Sequence, residues 1–296
     1  MAPLYRPIPA LSWFPMAPHA ALALARHARV WGILSLLNAI AWPAASALTQ
    51  VRPPPGTGCR LEFLGVGKVS AILDGRSFLL DDGREIRLPE IEVPLAPHAG
   101  EAGTRAKAGG AARAALEAIL AGESVELRHN RPAADRYGRI LAHAYVVRDG
   151  SSAAHEMLDR GFARVSAQAD CAADLLAREQ SARNAKLGLW GQAYYAVIAA
   201  ENLGALAAER GHFTVVEGRV LSVRESAGTI YMNFGRRWSE ALTVTILKRN
   251  ERNFVLAGLD PHRLANLRLR VRGFIEERNG PRIEAVHPGQ IEIAER

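Results

Sequence analysis

The chain has 296 residues, a formal net charge of +7 and two cysteines. That length exceeds what one hydrophobic core usually absorbs and argues for two domains behind a leader. The basic balance reads either as a soluble surface of no special purpose or as the mark of a polyanionic partner such as nucleic acid or an anionic envelope surface.

Residues 1–47 read as targeting sequence. They carry Arg6, Arg26 and Arg29 with no acidic residue, then an apolar run over 30–42, then the small-residue site Ala45-Ser46-Ala47. A basic segment, a short apolar segment and an A-x-A site have the pattern of a cleavable signal peptide, with an uncleaved anchor as the alternative. The run is well short of the ~20 residues that cross a bilayer, so no stable membrane span is expected after cleavage. The expected location is periplasmic or secreted. Residues 48–59 follow as a Pro-rich spacer. Cys59 and Cys171 both lie beyond the cleavage site, and in an oxidising compartment they either pair or stay as two separate thiols.

From Leu61 the pattern becomes strand-like. A run to Leu73 meets the turn at Asp74-Gly75. Ser77-Phe78-Leu79-Leu80 and Arg84 to Leu88 then flank a second turn at Asp81-Asp82-Gly83. Asp-Gly between apolar runs is a hairpin signal, so the chain begins as a meander of about three strands. Glu101 to Leu120 reads as an Ala-rich helix with an apolar face at Ala108, Ala112, Ala115, Leu116 and Ile119, closed by Gly122. Two further strands follow at 124–128 and 140–147, then helices at 151–160 and 171–186. Strands first, then helices mixed with strands, indicate an α+β fold built on a small Greek-key barrel. Residues 192–210 read as an apolar linker helix. Residues 211–296 then present three strands, a helical break near 250–257 and two or three more strands. That layout is OB-like, a second small mainly-β domain.

Short fragments carry the chemistry. They are Asp74-Gly75-Arg76-Ser77, Arg87-Leu88-Pro89-Glu90-Ile91-Glu92-Val93-Pro94-Leu95 and Asp135-Arg136-Tyr137-Gly138-Arg139, then Ala182-Arg183 and Gly188-Leu189-Trp190. In this order they resemble the staphylococcal nuclease-like (thermonuclease) family. The resemblance implies an OB-like five-stranded barrel with three helices over 60–191. It also implies a phosphodiester hydrolase that uses a glutamate base, calcium held by aspartates, and two arginines. Guanidinium suits that task because its planar, always-charged fork bonds two phosphate oxygens at once.

Carried over by motif, Arg87 and Arg139 take the two phosphate-directed arginine positions. Tyr137 takes the family's tyrosine, which either lines a nucleotide pocket or packs beside its turn. The departures concern the metal and the base. Arg76 stands at a metal-ligand aspartate, Glu92 at another, and Leu95 at the catalytic glutamate. Asp74 persists as a turn-forming or supporting carboxylate. Calcium wants six to eight oxygens, mostly carboxylate. The expectation is therefore a degenerate metal site, with an Arg76–Glu92 ion pair filling it, and no cofactor unless that site still binds calcium. Substitute bases are Glu90, Glu92 and Glu101.

His98, His129, His143 and His155 have no zinc-ligand spacing, and the chain has neither a Gly-x-Ser-x-Gly elbow nor a P-loop. In the second domain Arg268, Arg270 and Arg272 alternate on one strand and share a face, either as a substrate-binding row or as a solvated surface. Three readings follow. The first is an exported binder of nucleic acid or another polyanion with impaired or absent calcium-dependent activity. The second is an active nuclease using Glu92 or Glu101. The third is a structural envelope module that contacts protein.

Overall fold

The computed structural model describes residues 61–95, 103–130, 134–167, 169, 172–237 and 240–295. The leader, the spacer, Cys59, His98, Glu101 and Cys171 lie outside these residues. The described residues belong to one compact unit.

The first half is an OB-like barrel. Strand β1 (Glu62–Asp74) is long enough to serve two partners. Its first part pairs antiparallel with β5 (Ser124–His129), from Glu62 opposite His129 to Lys68 opposite Ser124. Its second part pairs with β2 (Ser77–Leu80), and β2 with β3 (Glu85–Arg87). A two-residue β4 (Ile91–Glu92) leaves this sheet, and α1 (Thr104–Leu120) crosses to β5.

Closure comes from one bent strand. Its two arms, β6 (Ile140–Leu141) and β7 (His143–Val146), hinge at Ala142. β6 runs parallel to β3, and β7 antiparallel to β5, so the segment joins the two outer strands of the meander. Counted once, it completes five strands. Two helices follow, α2 (Ala153–Asp159) and α3 (Ala172–Asn184), separated by β8 (Arg164–Val165), which pairs with β4.

The alternation read from the sequence buries Phe78, Leu80, Ile86 and Leu127 with Leu116 and Leu120 of α1 in one core. The Asp74-Gly75 turn lies on α1, and a β-carbon on Gly75 would come within 2.8 Å of the Ala112 side chain. A second close approach fixes the Gly-Leu-Trp motif. Gly161 has φ +74, and a β-carbon there would lie 2.3 Å from the Leu187 carbonyl oxygen. Gly161→Ala is expected to destabilise by more than about 1 kcal/mol, read by urea denaturation, because both backbone strain and a main-chain clash oppose it.

The linker helix expected over 192–210 does not form. The segment holds a 3-10 turn at Ala193–Tyr195, then β9 (Ile198–Ala199), then α4 (Leu203–Ala208). Gln192 is extended, and the Asn202 side chain accepts the Ala205 amide at 3.1 Å, starting a fresh helix. The apolar residues serve separate clusters. Tyr195 packs with Trp190, while Ala200 and Leu206 enter the second core.

The second half repeats part of that pairing, with its strands in two separate sheets. β10 (Phe213–Arg219) and β11 (Ser222–Ser226) are nearly continuous and serve different partners. β10 pairs with β14 (Arg268–Phe274), and β11 with β12 (Thr229–Asn233). β12 pairs with β13 (Thr243–Leu247), and α5 (Glu251–Leu256) follows. The short β15 (Glu276–Glu277) pairs with β16 (Pro281–Glu284), which runs parallel to β13. As in the first half, a shared first strand, a helical break after the third and a parallel third–fifth pair make an OB-like arrangement. β9 and β17 (Ile291–Glu295) extend the β10–β14 sheet.

Candidate active site

The site begins at the Asp74-Gly75-Arg76 turn. The Asp74 carboxylate accepts the Arg76 amide at 2.8 Å, which tightens the turn and aims the Arg76 side chain. Arg76 Nη1 lies 2.5 Å from Glu92 Oε1 and donates to the Ile91 carbonyl oxygen at 2.9 Å. The ion pair expected between Arg76 and Glu92 is therefore present. Calcium is a hard cation that binds through several oxygens. Here one carboxylate is taken by a guanidinium and the other by a backbone amide, so these residues do not fit it. Among the described residues, no cluster of three or more His, Cys, Asp or Glu side chains could hold a metal.

Leu95 is exposed at the end of the same segment and offers no proton acceptor. Glu90, one of the substitute bases, is buried and bonded to His143 Nδ1 instead of facing the cleft. Nothing in the sequence pattern separates Glu90 from Glu92. In the structure Glu90, just ahead of β4, meets His143, while Glu92 in β4 meets Arg76.

The phosphate-directed arginines differ from each other. Arg87, at the end of β3, is half-buried and has no carboxylate within ion-pair distance among the described residues. Burial, then the charges of Arg76 and Arg139, push its pKa down. The charges of Asp74 and Glu92 oppose that shift without reversing it. Arg139 is anchored, its Nε 2.6 Å from Asp135 Oδ2. Burial opposes ionisation of Asp135, but the Tyr137 and Arg139 amides and the Arg139 guanidinium outweigh it and hold the carboxyl below its usual range. Tyr137 is exposed, its ring flanked by the Arg136 and Arg139 guanidiniums at 4.8 and 5.0 Å. Its hydroxyl accepts Arg136 Nη2 at 2.6 Å.

Arg76, Glu92 and Leu95 also line a cavity of about 290 Å³ whose far wall includes Tyr194, Phe213 and Phe274. Across it Arg105 Nη2 lies 2.7 Å from Glu209 Oε1. The second half thus borders the side of the site where the family resemblance places metal ligands.

The arginine row of β14 is a correction. Arg272 is fully buried, with Nη1 2.6 Å from Glu179 Oε2 and Nη2 2.5 Å from Glu292 Oε1. Arg268 and Arg270 lie 2.8 and 2.6 Å from the two Glu217 oxygens. Three glutamates neutralise the row, so it is not an open binding surface for a polyanion. Arg272 alone of the three reaches the first half, where it meets Glu179 of α3, while Arg268 and Arg270 pair within their own half. Sequence reasoning missed Glu179. It also missed Arg164, which is buried and donates to the Phe213 and Tyr195 carbonyls at 2.8 and 2.7 Å.

Residues 85–192 match the staphylococcal nuclease homologue family model. The match takes in Arg87, Glu92, Leu95, Arg139 and the Gly-Leu-Trp motif, while Arg76 lies ahead of it. A search of curated proteins finds no match. With the OB-like pairing around it, the segment 85–192 forms a domain that matches the staphylococcal nuclease homologue family, and a second OB-like domain follows it in the chain.

Proposed function

We propose that this is an exported protein that binds nucleic acid or a related polyanion through its nuclease-like domain, without calcium-dependent phosphodiesterase activity. The nuclease-like domain points to nucleic acid. One observation carries the finer reading: the Arg76 guanidinium sits on Glu92, where the resemblance puts metal ligands, beside an Arg87 that has no carboxylate within ion-pair distance among the described residues. Phosphodiester hydrolysis needs an activated water and a counter-charge for the phosphoryl oxygens. Leu95 cannot supply the first. The arginines still supply a site for the ground-state phosphate. Export rests on the leader pattern of residues 1–47.

The test is a gel assay of the purified protein with single-stranded DNA in calcium or a chelator, alongside binding followed by fluorescence anisotropy. No cleavage is expected in either condition. Arg87→Ala is expected to weaken binding by about ten-fold or more, since a charge-assisted contact to phosphate contributes roughly 1.5–3 kcal/mol. Ready cleavage abolished by the chelator would overturn the proposal.

A further inference from the structure

The second barrel has an open sheet face that lies outside the family match. Along β11, β12, β13 and β16, Ile230, Met232, Val244 and Ile283 enter the core. The alternate positions Arg224, Tyr231, Asn233, Thr243 and Arg282 line a groove of about 540 Å³. The register places Arg224 opposite Tyr231, and Thr243 opposite both Asn233 and Arg282. Arg236, after β12, and Arg278, between β15 and β16, complete the cationic lining.

Two observations separate this face from an ordinary solvated surface. No carboxylate lines the groove among the described residues. Arg224, Arg236 and Arg278 are exposed, and their side chains have no ion-pair or hydrogen-bond partner among those residues. Only Arg282 is paired, with Glu276 at 2.5 Å. On β14 of the same barrel every arginine is matched by a glutamate. Unmatched like charges gathered in a concavity repel one another until an anion arrives, so the face suits a polyanion.

Tyr231 narrows the class. It is the aromatic residue in the groove, half-buried on the open face beside Arg224. A ring there offers a stacking surface, and bases present their π-faces only when unstacked. We propose that this groove binds a single strand of nucleic acid, with Arg224, Arg236 and Arg278 on phosphates and Tyr231 stacked on a base.

The experiment uses the whole protein and a fluorescein-labelled oligothymidine of about 15 nucleotides, near the upper site size of one OB barrel. Anisotropy is read across a salt series. The Arg224→Ala/Arg278→Ala variant should bind more weakly and lose roughly 1 to 1.5 from the slope of log K against log salt. Tyr231→Leu should weaken binding about ten-fold, and Tyr231→Phe should retain it. Inorganic polyphosphate should be indifferent to Tyr231→Leu, and duplex DNA should bind less well than the single strand. Melting curves identify any misfolded variant, in which case Tyr231→Phe and the surface arginine pair decide. Unchanged affinity and slope in the arginine variant overturn the proposal, as does a polyphosphate or duplex preference. If Arg87→Ala abolishes binding and the groove variants do not, the groove is refuted and the first barrel remains the site. The reverse result supports the groove and removes the first barrel.

Discussion

Glu179→Ala is expected to destabilise the protein by about 3–5 kcal/mol, the usual effect of removing one partner from a buried ion pair. For a body of this size that lowers Tm by on the order of 10 °C. Glu179 is fully buried and accepts from Arg272, from Arg183 at 2.8 Å and from the Val165 amide at 2.6 Å. Truncation leaves all three donors short of an acceptor where Glu179 and Arg272 are fully buried between the halves. The apolar double variant Glu179→Leu/Arg272→Met should be far closer to the parent, because it removes both charges together. If the double variant is as unstable as the single, packing and not charge explains the loss.

The same group predicts a pH dependence. Burial alone would raise the Glu179 pKa, but the Arg272 charge, its hydrogen bonds and the Val165 amide outweigh burial and depress it below the ordinary value of 4.5. A folded-state pKa below the unfolded one stabilises fully above about pH 4.5, and that stability is lost as pH falls through the folded value. Urea melts between pH 7 and pH 3 should show this acid loss in the parent. The Glu179→Leu/Arg272→Met variant should show less of it.

The second large effect is a gain. Arg76→Asp, Glu92→Asp and Leu95→Glu together should create calcium-dependent cleavage of single-stranded DNA, small but measurable on a gel. The change removes the guanidinium from the metal side and adds carboxylates there. It also removes a charge that pushes down the Arg87 pKa. The supporting groups around the site have not been rebuilt with it, which keeps the gain small. Calcium should raise the Tm of the triple variant, by an amount equivalent to about 2.7 kcal/mol at a hundred times its Kd, and leave the parent unmoved. A large calcium-induced rise in the parent would show that Arg76 does not end metal binding.

What the sequence determined alone was local or chemical. The Asp74-Gly75 and Asp81-Asp82-Gly83 turns set the first meander, Gly83 by a left-handed φ of +86 and Gly75 by the space its missing side chain leaves against Ala112. Apolar alternation marked which face of each barrel strand is buried. Residue identity was sufficient at position 95, since a leucine there cannot take a proton in any fold.

Partners distant in the chain were decided only by tertiary structure. Arg268, Arg270 and Arg272 carry the same local pattern as a binding surface. Whether a guanidinium meets phosphate or carboxylate depends on Glu179, 93 residues away from Arg272, and on Glu217 and Glu292. The apolar periodicity of 192–210 likewise suited one helix until Tyr195 and Leu206 were claimed by separate clusters. Periodicity records that a side chain is buried, but not against what. Charge pairing and packing across the barrels are settled by three-dimensional proximity, which no single segment encodes.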